Sequence, residues 1–225
     1  MADGKTRAAK AALEFVKDGM GVGLGSGSTA AEFIRLLGAR AKARKWKLAC
    51  VPTSEDSRVL ALKAGLSTCA LDEVKSLGLA VDGADAVDPN LNLVKGGGGC
   101  HAREKVVAYA AKKFVCIVDE SKLRKSLDGF PVPVEVLPFA GAHVARAIER
   151  DWDAKAEFRR GGGKLGPVVT DNGNYILDAT FRRVGDPREL ERDLQCLPGV
   201  VASGIFAARR PILIIGRKDK AEMRA

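Results

Sequence analysis

The stretch Met20-Gly-Val-Gly-Leu-Gly-Ser-Gly-Ser-Thr-Ala30 decides the fold. Met20 to Leu24 is a short apolar run that suits a buried strand, and Gly25 to Thr29 is a loop of small residues that leads into a helix from Ala30 to Arg44. Working outward, Ala8, Ala9, Ala12, Leu13 and Val16 repeat at helical spacing, and Gly19 is read as the end of that helix. Leu48 to Val51 is the next strand. Thr53 and Asp56 form a capping-box-like start to a helix that ends near Gly65. Leu79 to Val81 runs apolar into Asp82, Leu91 to Val94 leads into four consecutive glycines, a helix covers about His101 to Lys113, and Phe114 to Val118 is rich in strand formers.

Strands that alternate with helices specify an α/β, Rossmann-like, mostly parallel sheet with helices on both faces. From Pro131 the pattern changes. Val132–Leu137, Ala142–Trp152, Ala156–Arg159, Tyr175–Thr180, Pro187–Cys196 and Val200–Phe206 read in the order β-α-β-β-α-β, the signature of a ferredoxin-like α+β sandwich. Pro211 to Ile215 then reads as a strand that returns to the first sheet. The expected organisation is an α/β domain over residues 1–130 and 209–225, with a smaller α+β domain inserted at 131–208. Gly161 to Gly166 reads as a mobile hairpin loop.

In a parallel sheet, ligands sit beyond the carboxyl ends of the strands. The Gly25 loop, Asp82, Lys95 and the segment Asp119–Lys122 all fall just after a strand, which predicts that they converge. The loop matches the degenerate pattern G-x-G-x-x-[G/A] from Gly25 to Ala30, but no acid follows about 20 positions on to take ribose hydroxyls, and no Walker lysine is present. It does offer the hydroxyls of Ser26, Ser28 and Thr29 and free amides at a helix N-terminus, which suit a phosphate monoester. The plainer alternative is a tight strand–helix turn capped by Thr29.

Asp82, Asp85 and Asp88 allow three readings: oxygen ligands for Mg²⁺, a solvated turn, or two acids acting on substrate hydroxyls with Asp88 left to the turn. Lys95 already supplies positive charge there, which disfavours a metal. Lys95-Gly-Gly-Gly-Gly99 costs backbone entropy and makes sense where the main chain passes close to something. Glu104, in the first turn of the following helix, is either a proton carrier or a charge that complements the helix dipole. Lys122 is either a surface charge or a second phosphate contact.

The composition sets bounds. The 225 residues carry a net charge of +9, but the basic residues are dispersed and only 5% of the chain is aromatic, which leaves few platforms for stacking bases. A positive field that attracts a small anion accounts for the charge, so no nucleic acid partner is expected. No apolar run approaches the roughly 20 residues that span a bilayer, so no membrane partner is expected either. The five scattered cysteines include no C-x-x-C pair, which points to a reducing compartment. The start of the chain lacks a secretory signal. A cytoplasmic location is expected, or a plastid stroma where a transit peptide has been removed.

Taken in order, Gly-Ser-Gly-Ser-Thr29, Asp82-Gly-Ala-Asp85, Lys95-Gly-Gly-Gly-Gly with Arg103-Glu-Lys105, and Asp119-Glu-Ser-Lys122 resemble type A ribose-5-phosphate isomerase. The resemblance continues through Pro133-Val-Glu-Val-Leu-Pro138, Thr170-Asp-Asn-Gly-Asn174 and Leu197-Pro-Gly-Val-Val201. It implies interconversion of ribose 5-phosphate and ribulose 5-phosphate with no metal and no organic cofactor. It places the catalytic base on Glu104, with Asp82, Asp85 and Lys95 as catalytic partners. Substrate binding falls on Ser26, Gly27, Ser28 and Thr29, on Gly83 and Ala84, on Gly96, Gly97 and Gly98, and on Lys122. It further implies a homodimer or homotetramer to which the inserted domain contributes. Ser26 stands where many members have threonine, and Cys100 where alanine is common; neither removes a catalytic group. Two rivals remain at this point, a non-catalytic sugar-phosphate sensor and a Mg²⁺-dependent phosphatase built on the three aspartates.

Overall fold

The computed structural model describes residues 4–163 and 165–225. Met1 to Asp3, and Lys164 within the expected hairpin loop, lie outside the described residues. In chain order the elements begin α1 (Gly4–Ala12), β1 (Gly21–Leu24), α2 (Ser28–Arg44), β2 (Ala49–Pro52), α3 (Glu55–Lys63) and β3 (Leu79–Asp82). Next come β4 (Ala86–Val87), β5 (Leu93–Val94), α4 (His101–Ala110), β6 (Lys113–Asp119), β7 (Pro131–Val136), α5 (Gly141–Asp151) and β8 (Ala154–Phe158). The chain closes with β9 (Tyr175–Phe181), α6 (Pro187–Gln195), β10 (Val200–Ser203), β11 (Ile205–Phe206), β12 (Ile212–Gly216) and β13 (Ala221–Arg224).

These elements form two compact units. The first draws on Met1–Ala84, Arg103–Leu123 and Arg209–Ala225, and the second on Asp85–Ala102 and Arg124–Ala208. The division differs from the sequence expectation at its front end, where residues 85–102 and 124–130 go with the second unit. The cause is a separate three-stranded sheet in which β5 pairs with both β4 and β11.

In the first unit the sheet order is β13-β12-β6-β3-β1-β2, parallel except for β13, which pairs antiparallel with β12 at the edge. Val22, Leu24, Val115 and Ile117 pack with Ala8 of α1 and Phe33 of α2 in one buried cluster. Gly23 points the other way, where a Cβ would overlap Val107 of α4. Both faces are therefore covered, and the unbroken apolar runs of β3, β6 and β12 follow from burial on two sides. β13 escaped the sequence reading because Ala-Glu-Met-Arg is mostly exposed and has no apolar run.

Several boundaries shift for local reasons. α1 gives way to a 3-10 turn at Leu13–Phe15 and Val16 is extended, so Gly19 (φ 73) shapes the connection and does not end the helix. α2 starts at Ser28 with Gly27 as its N-cap, and Thr29 is a buried first-turn residue, not a cap. The box that opens α3 is Ser54 with Ser57, one place after the predicted Thr53–Asp56. Thr53 is instead tied to β1, its amide and hydroxyl both donating to Leu24 O. Leu91 takes φ 66, which confines β5 to Leu93–Val94. α4 ends at Ala110, short of the predicted Lys113, because the Lys112 amide is already donating to Leu77 O.

The second unit holds the antiparallel sheet β10-β7-β9-β8, the strand order of a ferredoxin-like sandwich, with α5 and α6. Val134, Val144, Ile148, Leu177, Phe181 and Leu194 are buried in its core. The predicted closing strand is split at Gly204, where a Cβ would overlap the Lys95 carbonyl, so β10 and β11 join different sheets. Glu135 is fully buried and its Oε1 accepts from Thr170 Oγ1 at 2.9 Å, Asn172 Nδ2 at 2.9 Å and Asn174 Nδ2 at 2.8 Å. Thr170-Asp-Asn-Gly-Asn174 is thus a turn locked onto a buried carboxylate.

Candidate active site

Each unit carries part of the predicted machinery. In the first, the carboxyl end of β1 is joined to β3 by the Gly25 amide donating to Val81 O at 2.9 Å. Asp82, 3% exposed, accepts from the Ser26 amide at 3.1 Å and the Gly83 amide at 2.7 Å, both on Oδ1. Gly25 is required by this closeness, since a Cβ there would overlap the Asp82 carboxylate and lie 2.6 Å from Asp82 Cα. Gly27 is required by its own φ of 93°. Gly27 and Ser28 are exposed at the N-terminus of a 17-residue helix, a place that favours an anion.

The Ser26 hydroxyl faces inward instead. It donates to Ser54 Oγ at 2.6 Å and lies 2.9 Å from Thr53 Oγ1, so it braces the loop against the start of α3. Lys5, which sequence reasoning missed, donates from Nζ to Ser28 Oγ at 3.0 Å. Burial raises the Asp119 carboxyl, but hydrogen bonds from Ser121 and the charges of Lys5 and Lys122 outweigh it and leave the group below its ordinary value. Lys5 and Lys122 therefore act on a common neighbour, and Lys5 brings a cation to the Ser28 end of the loop. Nothing in the sequence signals this, because a lysine in the first turn of an amphipathic helix is ordinary. Glu104 sits in the first turn of α4 and is only 5% exposed, while the neighbouring Arg103 reaches toward Glu55 at 3.6 Å.

The second unit holds Asp85, Lys95 and the glycines. Asp85 N–H donates to Val94 O at 2.8 Å, and Asp85 Oδ2 accepts the Gly97 amide at 2.7 Å. Lys95 is 2% exposed, with its ammonium 5.5 Å from the centre of the Phe206 ring. A cation over an aromatic face is attracted by the ring's quadrupole. Gly96 (φ 98) and Gly99 (φ 77) adopt backbone that favours glycine, and a Cβ on Gly96 would lie 2.6 Å from His101 Nδ1. Gly97 and Gly98 are exposed. Asp88 belongs to a turn: its Oδ1 accepts the Asn90 and Asn92 amides at 2.9 and 2.8 Å, and its Oδ2 accepts Asn92 Nδ2 at 2.7 Å. Among the described residues no three His, Cys, Asp or Glu side chains are grouped to hold a metal ion. No helix of the described residues is long and apolar enough to cross a membrane.

The family model for ribose 5-phosphate isomerase A (phosphoriboisomerase A) matches residues 49–220. The chain belongs to that family. It is 49% identical to ribose-5-phosphate isomerase A of Thermococcus kodakarensis over 217 residues, which covers 96% of this chain and 94% of the relative. Among solved structures, a D-ribose-5-phosphate isomerase in complex with phospho-erythronic acid superposes with a TM-score of 0.95 at 43% identity, over 100% of this chain and 99% of that one. The Methanocaldococcus jannaschii ribose 5-phosphate isomerase A superposes at 0.93 with 44% identity, covering 98% and 97% of the two chains. The resemblance read from the motifs and the α/β fold class both stand on these matches. In this member of the family the glycine stretch has further partners that the motifs did not reveal: Arg159, itself paired with Asp178, on the carbonyls of Gly96 and Gly97, and Phe206 against Lys95. They come from the far end of the sequence, where periodicity gives strands but not what the strands face.

Proposed function

We propose that this chain interconverts D-ribose 5-phosphate and D-ribulose 5-phosphate by moving one proton between C1 and C2 through a cis-enediolate. The observation that carries the reading is Glu104, a nearly buried carboxylate on the helix that follows the glycine stretch, in a chain that matches these isomerases over almost its full length. A carboxylate that only complemented a helix dipole would sit as well in water. Buried, it can take the proton from one carbon and return it to the other as base and then acid.

The remaining roles follow from chemistry. The enediolate gathers negative charge on two oxygens, and the Lys95 ammonium with the amides of Gly96 and Gly98 stabilises it, while the Gly97 amide holds Asp85 in place. Asp82 and Asp85 handle hydroxyl protons and ring opening, with Gly83 and Ala84 lining the same segment. Gly27, Ser28, Thr29 and Lys122 hold the phosphate, which lies far from the reacting carbons and so positions the sugar for reaction. Lys5 adds charge beside Ser28, and Ser26 contributes its place in the loop in preference to its hydroxyl. No step in this scheme calls for a metal or an organic cofactor. The protein is read as a cytoplasmic homodimer or homotetramer. Wholly exposed Phe139 and half-exposed Leu137 in the second unit offer the kind of apolar surface that assembly covers.

The test is turnover after exhaustive chelation. Ketose should form from ribose 5-phosphate at an unchanged rate in EDTA. Loss of activity restored by Mg²⁺ would return Asp82 and Asp85 to the metal reading, and release of inorganic phosphate would favour a phosphatase.

A further inference from the structure

We infer that Arg159 is a positioning residue that clamps the glycine stretch from behind, and so holds the Gly97 amide on Asp85 and aims the Gly98 amide used in the proposed isomerisation, on which this inference rests. Arg159 follows β8 and is fixed by its main chain, donating to Ile176 O at 2.8 Å and accepting from the Val168 amide at 2.8 Å. Its guanidinium meets Asp178 as a fork, Nε to Oδ2 at 2.9 Å and Nη2 to Oδ1 at 2.5 Å. That leaves Nη1, which donates to Gly96 O at 2.8 Å and Gly97 O at 3.0 Å. Only 17% of the arginine side chain is exposed, so water competes little for these bonds. All of these groups belong to the second unit.

In a trans peptide the C=O and the next N–H point in opposite directions. Holding the carbonyls of Gly96 and Gly97 on one side therefore turns the amides of Gly97 and Gly98 to the other. The first of those amides meets Asp85 Oδ2 at 2.7 Å, which confirms the direction. Glycines have no side chains to hold their own peptide planes; the Gly99 amide also donates to Gly96 O at 2.9 Å, and Arg159 adds a second bond there and extends the hold to Gly97 O. A full positive charge on the carbonyl side also polarises both peptides and strengthens their N–H groups as donors. A lysine could not replace the arginine: one ammonium cannot form the planar fork on Asp178 while reaching two carbonyls.

The experiment compares the wild type with Arg159→Gln, Arg159→Lys and Asp178→Asn, all assayed well below their melting temperatures. Donors that act on the transition state control kcat more than KM. Both Arg159 variants should therefore lose roughly 10- to 100-fold in kcat, less than the ~10²–10³ that follows outright deletion of an oxyanion donor. Affinity for phospho-erythronic acid should fall with kcat, affinity for inorganic phosphate should not, and Asp178→Asn should show a smaller loss of the same kind. Amide hydrogen exchange at Gly97 and Gly98 should quicken in every variant. Wild-type kcat with unchanged exchange in either Arg159 variant overturns the clamp, as does a fall in inorganic phosphate affinity that matches the fall in kcat. Should Arg159→Gln not fold, Arg159→Lys and Asp178→Asn carry the same comparison. An inactive wild type would defeat the isomerase reading, while the exchange rates would still decide the clamp.

Discussion

Two glycine-rich segments carry the proposed chemistry, and they use glycine for different reasons. Gly25 to Thr29 is a crowded turn: Gly25 makes room for Asp82, Gly27 supplies a left-handed cap, and hydroxyls from Thr53 and Ser54 hold Ser26. Lys95 to Gly99 is a stretch of bare backbone. Gly96 and Gly99 are set by φ, Gly97 by the Asp85 carboxylate, whose Oδ1 would lie 2.8 Å from a Cβ, and both Gly96 and Gly97 are held through their carbonyls by Arg159. Gly98 differs from the other three, because a Cβ built on it meets nothing within 4 Å. The protein's own structure accounts for three of the four glycines and leaves Gly98 without an internal reason.

The largest expected effect tests whether the helix after the second segment carries the chemistry. Glu104→Gln keeps the size and most of the hydrogen bonding but removes the proton acceptor. Turnover should fall at least about 100-fold, the low end for losing a general base, while the variant folds and still binds ribose 5-phosphate. Exchange of the substrate C2 hydrogen with solvent should fall in parallel. A folded variant with near-normal turnover would take Glu104 out of the mechanism and send the search for the base to Asp82 and Asp85.

A smaller effect probes the first segment. Gly25→Ala forces a Cβ into the Asp82 carboxylate and against its backbone, so either β3 or the loop must move. Overpacking of this kind costs about 1–3 kcal/mol, and denaturant unfolding should report it. Affinity for inorganic phosphate should also drop, because the amides of the loop are displaced together. A variant with unchanged stability and unchanged phosphate affinity would show that the turn is not the rigid anchor described here.

These segments also show how far the sequence could be read. Strand–helix alternation, the β-α-β-β-α-β order, the places of the Gly25 loop, Asp82, Lys95 and Asp119–Lys122 at strand ends and that of Glu104 in a first helical turn were all legible, because periodicity and turn residues are local properties. What was not legible is where side chains from distant segments go. Thr53 looks like a cap until Leu24 O takes its hydroxyl, and the sequence does not show that the Ser26 hydroxyl donates to Ser54. Asp85–Ala102 reads as part of the first unit until β5 pairs with β11, which lies about a hundred residues further along. Arg159 and Asp178 gave no signal at all, since an Arg–Asp pair 19 residues apart is invisible without the β8–β9 register that sets Ala156 beside Ala179 and Phe158 beside Leu177.

The finest test asks what Gly98 is for. Its neighbours would tolerate a methyl group, and its φ lies outside the left-handed region that penalises other residues. Alanine at such a position reduces the freedom of the unfolded chain and typically adds about 0.4–1 kcal/mol of stability. Gly98→Ala should therefore melt at or slightly above the wild-type temperature, in contrast to Gly25→Ala. If the missing side chain leaves space for the sugar, the same methyl should weaken binding of ribose 5-phosphate and phospho-erythronic acid by roughly tenfold, about 1.4 kcal/mol of lost affinity. Inorganic phosphate, which makes no use of this stretch, should bind as before. A stable variant with undiminished affinity for both sugar ligands would mean that substrate does not approach Gly98. The donors assigned to the second segment would then narrow to the Lys95 ammonium and the Gly96 amide.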